Sequence, residues 1–284
     1  MSVNVRFIRD DGKQFIIDGT TWKIPEDGLD GFDFVENEIS TENNAQGDGS
    51  FLSGTRLPKK DRTIKFELMN ANLNDPMRQL VRSFFNVKRT LKCYVTYGGE
   101  TKWCEGVLYT PSNPTKNIYD RLEVSVTILC PMPYLYSNDN FAKNIASIIP
   151  MFEFDLEIPE EGIEFDSFAY AKEVELDNDG DFDTYCKAVF VAKGEVVNPV
   201  LKKDDKYIRL LDTLEEGDVL IIDLESQPSK VTKNGENIIR LVDRTSNFED
   251  MKFEVGLNTI GYDADNGSNL VDVTIYFNKR YAGM

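Results

Sequence analysis

Short runs of alternating apolar and polar residues, each cut off by a turn signal, dominate this chain. "RTIKFEL" places Ile64, Phe66 and Leu68 on one side of an extended segment. "LKCYVTYGGETKWCEGVLY" reads as two such runs joined by Gly98-Gly99. The same spacing recurs in "KAVFVAKG", "KYIRLL", "DVLIIDL", "NIIRLV", "MKFEV" and "LVDVTIYF", separated by turns at 217–218, 234–235 and 265–267. A period of two commits a chain to pleated strands, and many strands at this spacing predict packed or closed sheets. The fold class expected is mainly β.

One helix interrupts the pattern. In "NDPMRQLVRSFFN", Asp75 is placed to cap and Pro76 to open the first turn. Met77, Leu80, Val81, Phe84 and Phe85 then form a single apolar stripe at helical spacing, suited to lie on a sheet. The polar stretch 36–53, "ENEISTENNAQGDGSFLS", reads as a long exposed loop.

Pairing across Gly98-Gly99 sets Tyr97 opposite Glu100, Tyr94 opposite Trp103 and Cys93 opposite Cys104. Tyr94 and Trp103 fall on a non-hydrogen-bonded pair, where side chains touch. Cys93 and Cys104 fall on the wider, hydrogen-bonded kind and are expected as neighbouring free thiols. A zinc site from Cys93, Cys104, Cys130 and Cys186 lacks any C-x-x-C spacing. Asn234-Gly235 predicts a second tight hairpin, returning Val231 and Thr232 as Ile238 and Asn237.

The strand from Ile118 to Cys130 runs into "CPMPYLYSND". Two prolines that cannot donate to a ladder are expected to end the sheet. Charge changes at the same place. Residues 1–140 hold 17 Lys/Arg and 19 Asp/Glu, whereas residues 141–284 hold 15 and 30. The reading is therefore a domain over 1–140, an acidic β-sandwich over 141–284, a boundary near 135–148, and Tyr134 and Tyr136 at the seam.

The chain has no histidine. That removes Ser-His-Asp and Cys-His catalysis and the commonest general base. Phosphate-cradling glycine loops are missing, and "RLPKKDR" at 56–62 reads as a solvated loop. The acidic second half disfavours nucleic acid. Asp177, Asp179, Asp181 and Asp183 alternate as calcium ligands can, although Gly180 and Ala188 depart from the EF-hand pattern. Glu160, Glu161, Glu164 and Asp166 form a second acidic cluster, the minimum a carboxylate hydrolase needs. Tyr185, Tyr207 and Tyr262 would be the stacking rings if the second half bound sugar. The expectation is no enzyme, no cofactor and no membrane insertion. No signal peptide is read, so folding is expected in a reducing cytosol.

Several segments resemble the phage distal tail proteins in order along the chain. They are "GDGSFLSGTRLPKKDRTIKFEL", "CPMPYLYS", "LDNDGDFDTY", "KGEVVNPVL", "LEEGDVLIIDL", "KNGEN", "VGLNTI" and "VTIYFNKRYAG". The "VGLN" turn departs from relatives that carry proline before this glycine. The resemblance implies a virion structural protein. Its N-terminal domains would build a hexameric ring, and its C-terminal galectin-like β-sandwiches would face outward. The implied partners are copies of itself, the tail tube protein, the tail-tip hub protein and receptor-binding or baseplate proteins, in the virion tail. The 36–53 segment is the interface candidate within such a ring.

Overall fold

The computed structural model describes residues 3–44, 47–70, 74–112, 122–138, 141–144 and 173–284. They form two compact units, residues 1–138 with 280–284, and residues 139–279. Both are mainly β, and Asn74–Phe84 is the single α-helix among the described residues.

In the first unit the strands run in the order Gln14–Ile17, Asn4–Arg9, Thr90–Tyr97, Glu100–Ser112, Glu123–Cys130, Lys60–Leu68 and Trp22–Lys23, a nearly closed, barrel-like sheet. Alternation sends Val5, Phe7, Ile64, Phe66, Leu68, Val95, Val126 and Ile128 into one core. The Gly98-Gly99 hairpin has the expected register, and both glycines take positive φ, 62° and 93°, as a tight hairpin turn requires. Gly106 answers a different need. A Cβ there would meet the Leu129 carbonyl at 2.3 Å, so only glycine lets these neighbouring strands approach.

The helix closes the core with Val81, Phe84 and Phe85. Leu80 departs from the predicted stripe and is 46% exposed. The buried arc is turned toward Arg78, which leaves Leu80 at its margin. Asp75 lies within the first helical turn rather than ahead of it. Arg9 fixes the other end, donating from Nη1 to the carbonyls of Ser83 (2.9 Å) and Phe84 (3.0 Å). Phe15 is the centre of the aromatic packing, with ring centroids of Phe85, Phe84, Trp22, Phe66 and Phe7 at 5.2, 5.4, 5.6, 5.6 and 6.5 Å.

The two prolines do not end the sheet. Strand Glu123–Cys130 stops, but Leu135–Ser137 resumes beside the same neighbour, with Tyr136 opposite Trp103 and Ser137 opposite Lys102. The "PMP" segment is thus an insertion bulging out of a continuing sheet. A bulge needs no ladder donors, which is why proline is tolerated there. Arg62, fully buried, donates from Nη2 to the Pro133 carbonyl at 2.5 Å and holds the bulge in place. The segments "DRTIKFEL" and "CPMPY" are therefore joined physically. The tyrosines after the prolines also belong to this sheet: Tyr136 stacks on Trp103 at 4.7 Å, and the Arg280 guanidinium sits over Tyr134 at 5.0 Å.

The second unit packs two sheets face to face. One has the order Phe141–Asn144, Val271–Phe277, Cys186–Ala192, Val219–Asp223, Lys230–Lys233, Glu236–Asn237. The other has the order Glu173–Asn178, Gly256–Asp263, Val200–Lys203, Lys206–Arg209. Phe190, Val273, Ile275 and Ile222 from the first meet Leu176, Leu201, Ile208, Ile260 and Tyr262 from the second. The Asn234-Gly235 turn has the predicted register, Thr232 opposite Asn237. Two expected strands differ. Ile239–Leu241 within "NIIRLV" and Glu249–Met251 before "KFEV" are 3₁₀ turns. The first run does not alternate; the second does, but only Met251 and Phe253 are buried while Val255 is 54% exposed, so each run anchors a loop by one or two core side chains, Ile238 in the first.

Candidate functional site

The 36–53 segment, expected as a loop, is a β-hairpin. Glu38–Asn43 pairs antiparallel with Ser50–Arg56 and with no other strand. Its alternation was invisible as a strand signal because neither face is buried in the single chain: nearly every residue is exposed. The two faces nevertheless differ. On one, Glu38 faces Arg56, Ser40 faces Gly54 and Glu42 faces Phe51. Arg56 Nε donates to Glu38 at 2.7 Å, and this hydrogen bond holds the Glu38 carboxyl below its ordinary range. On the other face Ile39 lies opposite Thr55 and Thr41 opposite Leu52, with Asn43 and Ser50 beyond. That second face carries no charged residue. A register shift between Ser40 and Thr41 marks a bulge that keeps the two sets apart. Ile39, Phe51 and Leu52 are 60%, 51% and 61% exposed.

A second surface lies on the outside of the barrel-like sheet. One cross-strand row runs Ile16, Arg6, Tyr94, Trp103, Tyr136, Arg280. The Tyr94–Trp103 contact expected from the hairpin is present, with centroids 6.1 Å apart. The row extends it in both directions. Arg6 stacks on Tyr94 at 4.7 Å, and Lys92 lies over Trp103 at 4.8 Å. Trp103 Nε1 donates to the Ser137 carbonyl at 2.8 Å, so its polar atom is satisfied while its ring stays half-exposed.

The thiols are where the register predicted. Cys93 faces Cys104, and all four cysteines are buried and free. Hydrogen bonding with Cys104, followed by burial, pushes the Cys130 thiol far up, which keeps it protonated and inert. Cys186 belongs to the second unit.

The Asp177–Asp183 turn is organised by a residue that sequence reasoning passed over. Asn178 is fully buried; its Nδ2 donates to the carbonyls of Phe182 (3.0 Å) and Phe253 (3.3 Å), and its Oδ1 accepts from the Gly180 N–H (3.2 Å). The aspartates point elsewhere: Asp179 pairs with Lys279 at 2.6 Å and Asp183 with Lys252 at 2.9 Å. Asp177 is exposed. Among the described residues no group of three or more acidic or thiol side chains is arranged to hold a metal ion. Of the three tyrosines weighed for sugar stacking, Tyr262 is a core residue at 1% exposure. Tyr185 donates to Glu249 at 2.6 Å, and Tyr207 shares a hydrogen bond with Thr245, so they form no common platform with it. The cluster Glu160, Glu161, Glu164 and Asp166 lies outside the described residues.

The described residues thus present two exposed surfaces on the first unit, the hairpin and the cross-strand row. Residues 179–281 match the family model of the siphovirus-type tail component, C-terminal domain. The whole fold is similar to SPP1 Dit (gp 19.1), a protein of the hub adsorption apparatus of phages infecting Gram-positive bacteria. The TM-score is 0.66 at 12% identity, over 97% of this chain and 98% of that one. It is also similar to a chain of the phage P2 baseplate in its activated conformation with Ca, with a TM-score of 0.50 at 12% identity, over 98% and 97% of the two chains. No curated protein matches. The resemblance to phage distal tail proteins is borne out, by the family model within the second unit and by the fold across the chain.

Proposed function

We propose that this chain is a structural subunit of a phage tail tip or baseplate. Six copies close into a ring that joins the tail tube to the tail-tip hub and anchors receptor-binding proteins. The observation that carries this reading is the 38–56 hairpin. A lone two-stranded hairpin is marginal in water, and one with an uncharged face and three exposed large apolar side chains gains stability only when something covers it. Charge supports the arrangement. The first 140 residues are nearly neutral and pack against copies with little repulsion, whereas the acidic remainder favours separation. The fold similarity to SPP1 Dit over nearly the full length agrees with both.

Light scattering behind a sizing column, with negative-stain imaging, tests the ring. The expected particle has six times the 32.4 kDa chain mass and a central hole. Deleting residues 41–50 removes the arm's tip and should weaken assembly. Intact rings after that deletion would dismiss a role for the arm.

A further inference from the structure

We propose that, within the ring just described and resting on it, the uncharged face of one copy's arm lies on the cation–aromatic row of the next copy. Four observations meet in this pairing. The arm face of Ile39, Thr41, Leu52 and Thr55 is apolar, offers hydroxyl acceptors, and contains no charge to desolvate. The row on the sheet is partly exposed along its length and ends on Ile16, which is 53% exposed. Arg6 has no ion pair or hydrogen bond among the described residues, and its guanidinium is held only against the Tyr94 ring. A guanidinium is weakly hydrated and keeps its five N–H donors while stacked, so neutral acceptors such as Thr41 and Thr55 can satisfy it under an apolar cover.

The surrounding charges agree in sign. Residues 33–48 contain Asp33, Glu36, Glu38, Glu42 and Asp48 and no lysine or arginine. The row itself carries Arg6 and Arg280, with Lys92 over Trp103 beside Glu105. Attraction between the two steers them together, and each disfavours meeting its own like. Two different patches meeting head to tail make a heterologous contact, the kind that closes into a ring.

Two variants test the pairing in the full-length chain: Ile39→Asp with Leu52→Asp on the arm, and Arg6→Glu with Ile16→Asp on the sheet. All four positions are exposed, and unchanged tryptophan fluorescence melts confirm folding. Sedimentation velocity over a concentration series reads assembly. Each variant alone should raise the midpoint concentration of assembly at least tenfold, while Glu42→Gln on the opposite arm face, which removes one steering charge and no contact, shifts it by about threefold or less. An equimolar mixture of the two variants should give dimers and nothing larger, because one intact arm then meets one intact row. Wild type that assembles while both variants assemble alike overturns the pairing and leaves the ring standing; another tail protein or a polyanion on the row would give that result. Variants that stay monomeric when mixed also overturn it. A wild type that stays monomeric throughout overturns the ring and the pairing together.

Discussion

Replacing Phe15 by alanine should unfold the first unit selectively. Phe15 is 5% exposed and touches five aromatic rings that come from a neighbouring strand, the opposite side of the sheet and the helix. Phe→Ala in a core costs about 3–5 kcal/mol. Ring pairs add about 0.5–1.5 kcal/mol each beyond area, so the upper part of that range is expected here. With a urea slope of about 1–3 kcal/mol/M, the midpoint should fall by roughly 2 M. The assay is specific because both tryptophans, Trp22 and Trp103, lie in the first unit, and Trp22 is itself 5.6 Å from Phe15. Tryptophan fluorescence during urea unfolding therefore follows that unit alone. Phe51→Ala, on the exposed arm, should move the same transition by less than about 0.5 kcal/mol. A loss below about 1 kcal/mol for Phe15→Ala would refute the argument that this ring organises the core.

Arg62→Met should change stability by less than about 2 kcal/mol, because losing the bond to Pro133 is offset by removing a buried charge whose Nε and Nη1 have no partner. A loss above about 4 kcal/mol in urea unfolding would mean that those donors are satisfied. Asn178→Ala should cost the second unit about 2–4 kcal/mol, read by tyrosine near-UV dichroism, since it strips partners from the part-buried Phe182 carbonyl and the buried Gly180 N–H. Asp177→Asn, exposed beside the same turn, should move that transition by less than about 0.5 kcal/mol. Asp218 is held down to about 2 by the Glu215 backbone N–H, then by the Asn234 amide and Lys233. Its folded pKa is depressed, so its stabilisation is present above the ordinary value of 3.8 and is lost as pH falls through about 2. Asp218→Asn should therefore be less stable than wild type near neutral pH, with the gap closing across that acid window. A gap independent of pH would count against the carboxylate.

The strand content and the hairpins at Gly98-Gly99 and Asn234-Gly235 were legible because their signals are local. A period of two sorts side chains to faces, and residues that accept positive φ mark the turns, with Gly98, Gly99, Asn234 and Gly235 all there. The helix was legible for the same reason, apart from the rotation that exposes Leu80. The 36–53 arm was not, because an alternation that buries neither face leaves no contrast to read. The two prolines were misread as an end because proline's local rule is silent on whether a strand resumes. Resumption is visible only in the tertiary pairing of Tyr136 with Trp103, beside which Arg62, distant in sequence, reaches the Pro133 carbonyl. The aspartates at 177–183 drew attention by charge, whereas the buried Asn178 does the organising.

By itself the sequence determined a strand-built chain without histidine chemistry, since periodicity, turn residues and composition act over a few neighbours at most. Tertiary structure alone decided which strands lie side by side. It thereby lined up Ile16, Arg6, Tyr94, Trp103, Tyr136 and Arg280 in one row and left the arm uncovered. Register between strands far apart in sequence is set by the packing of the whole core, and no short stretch of residues encodes it.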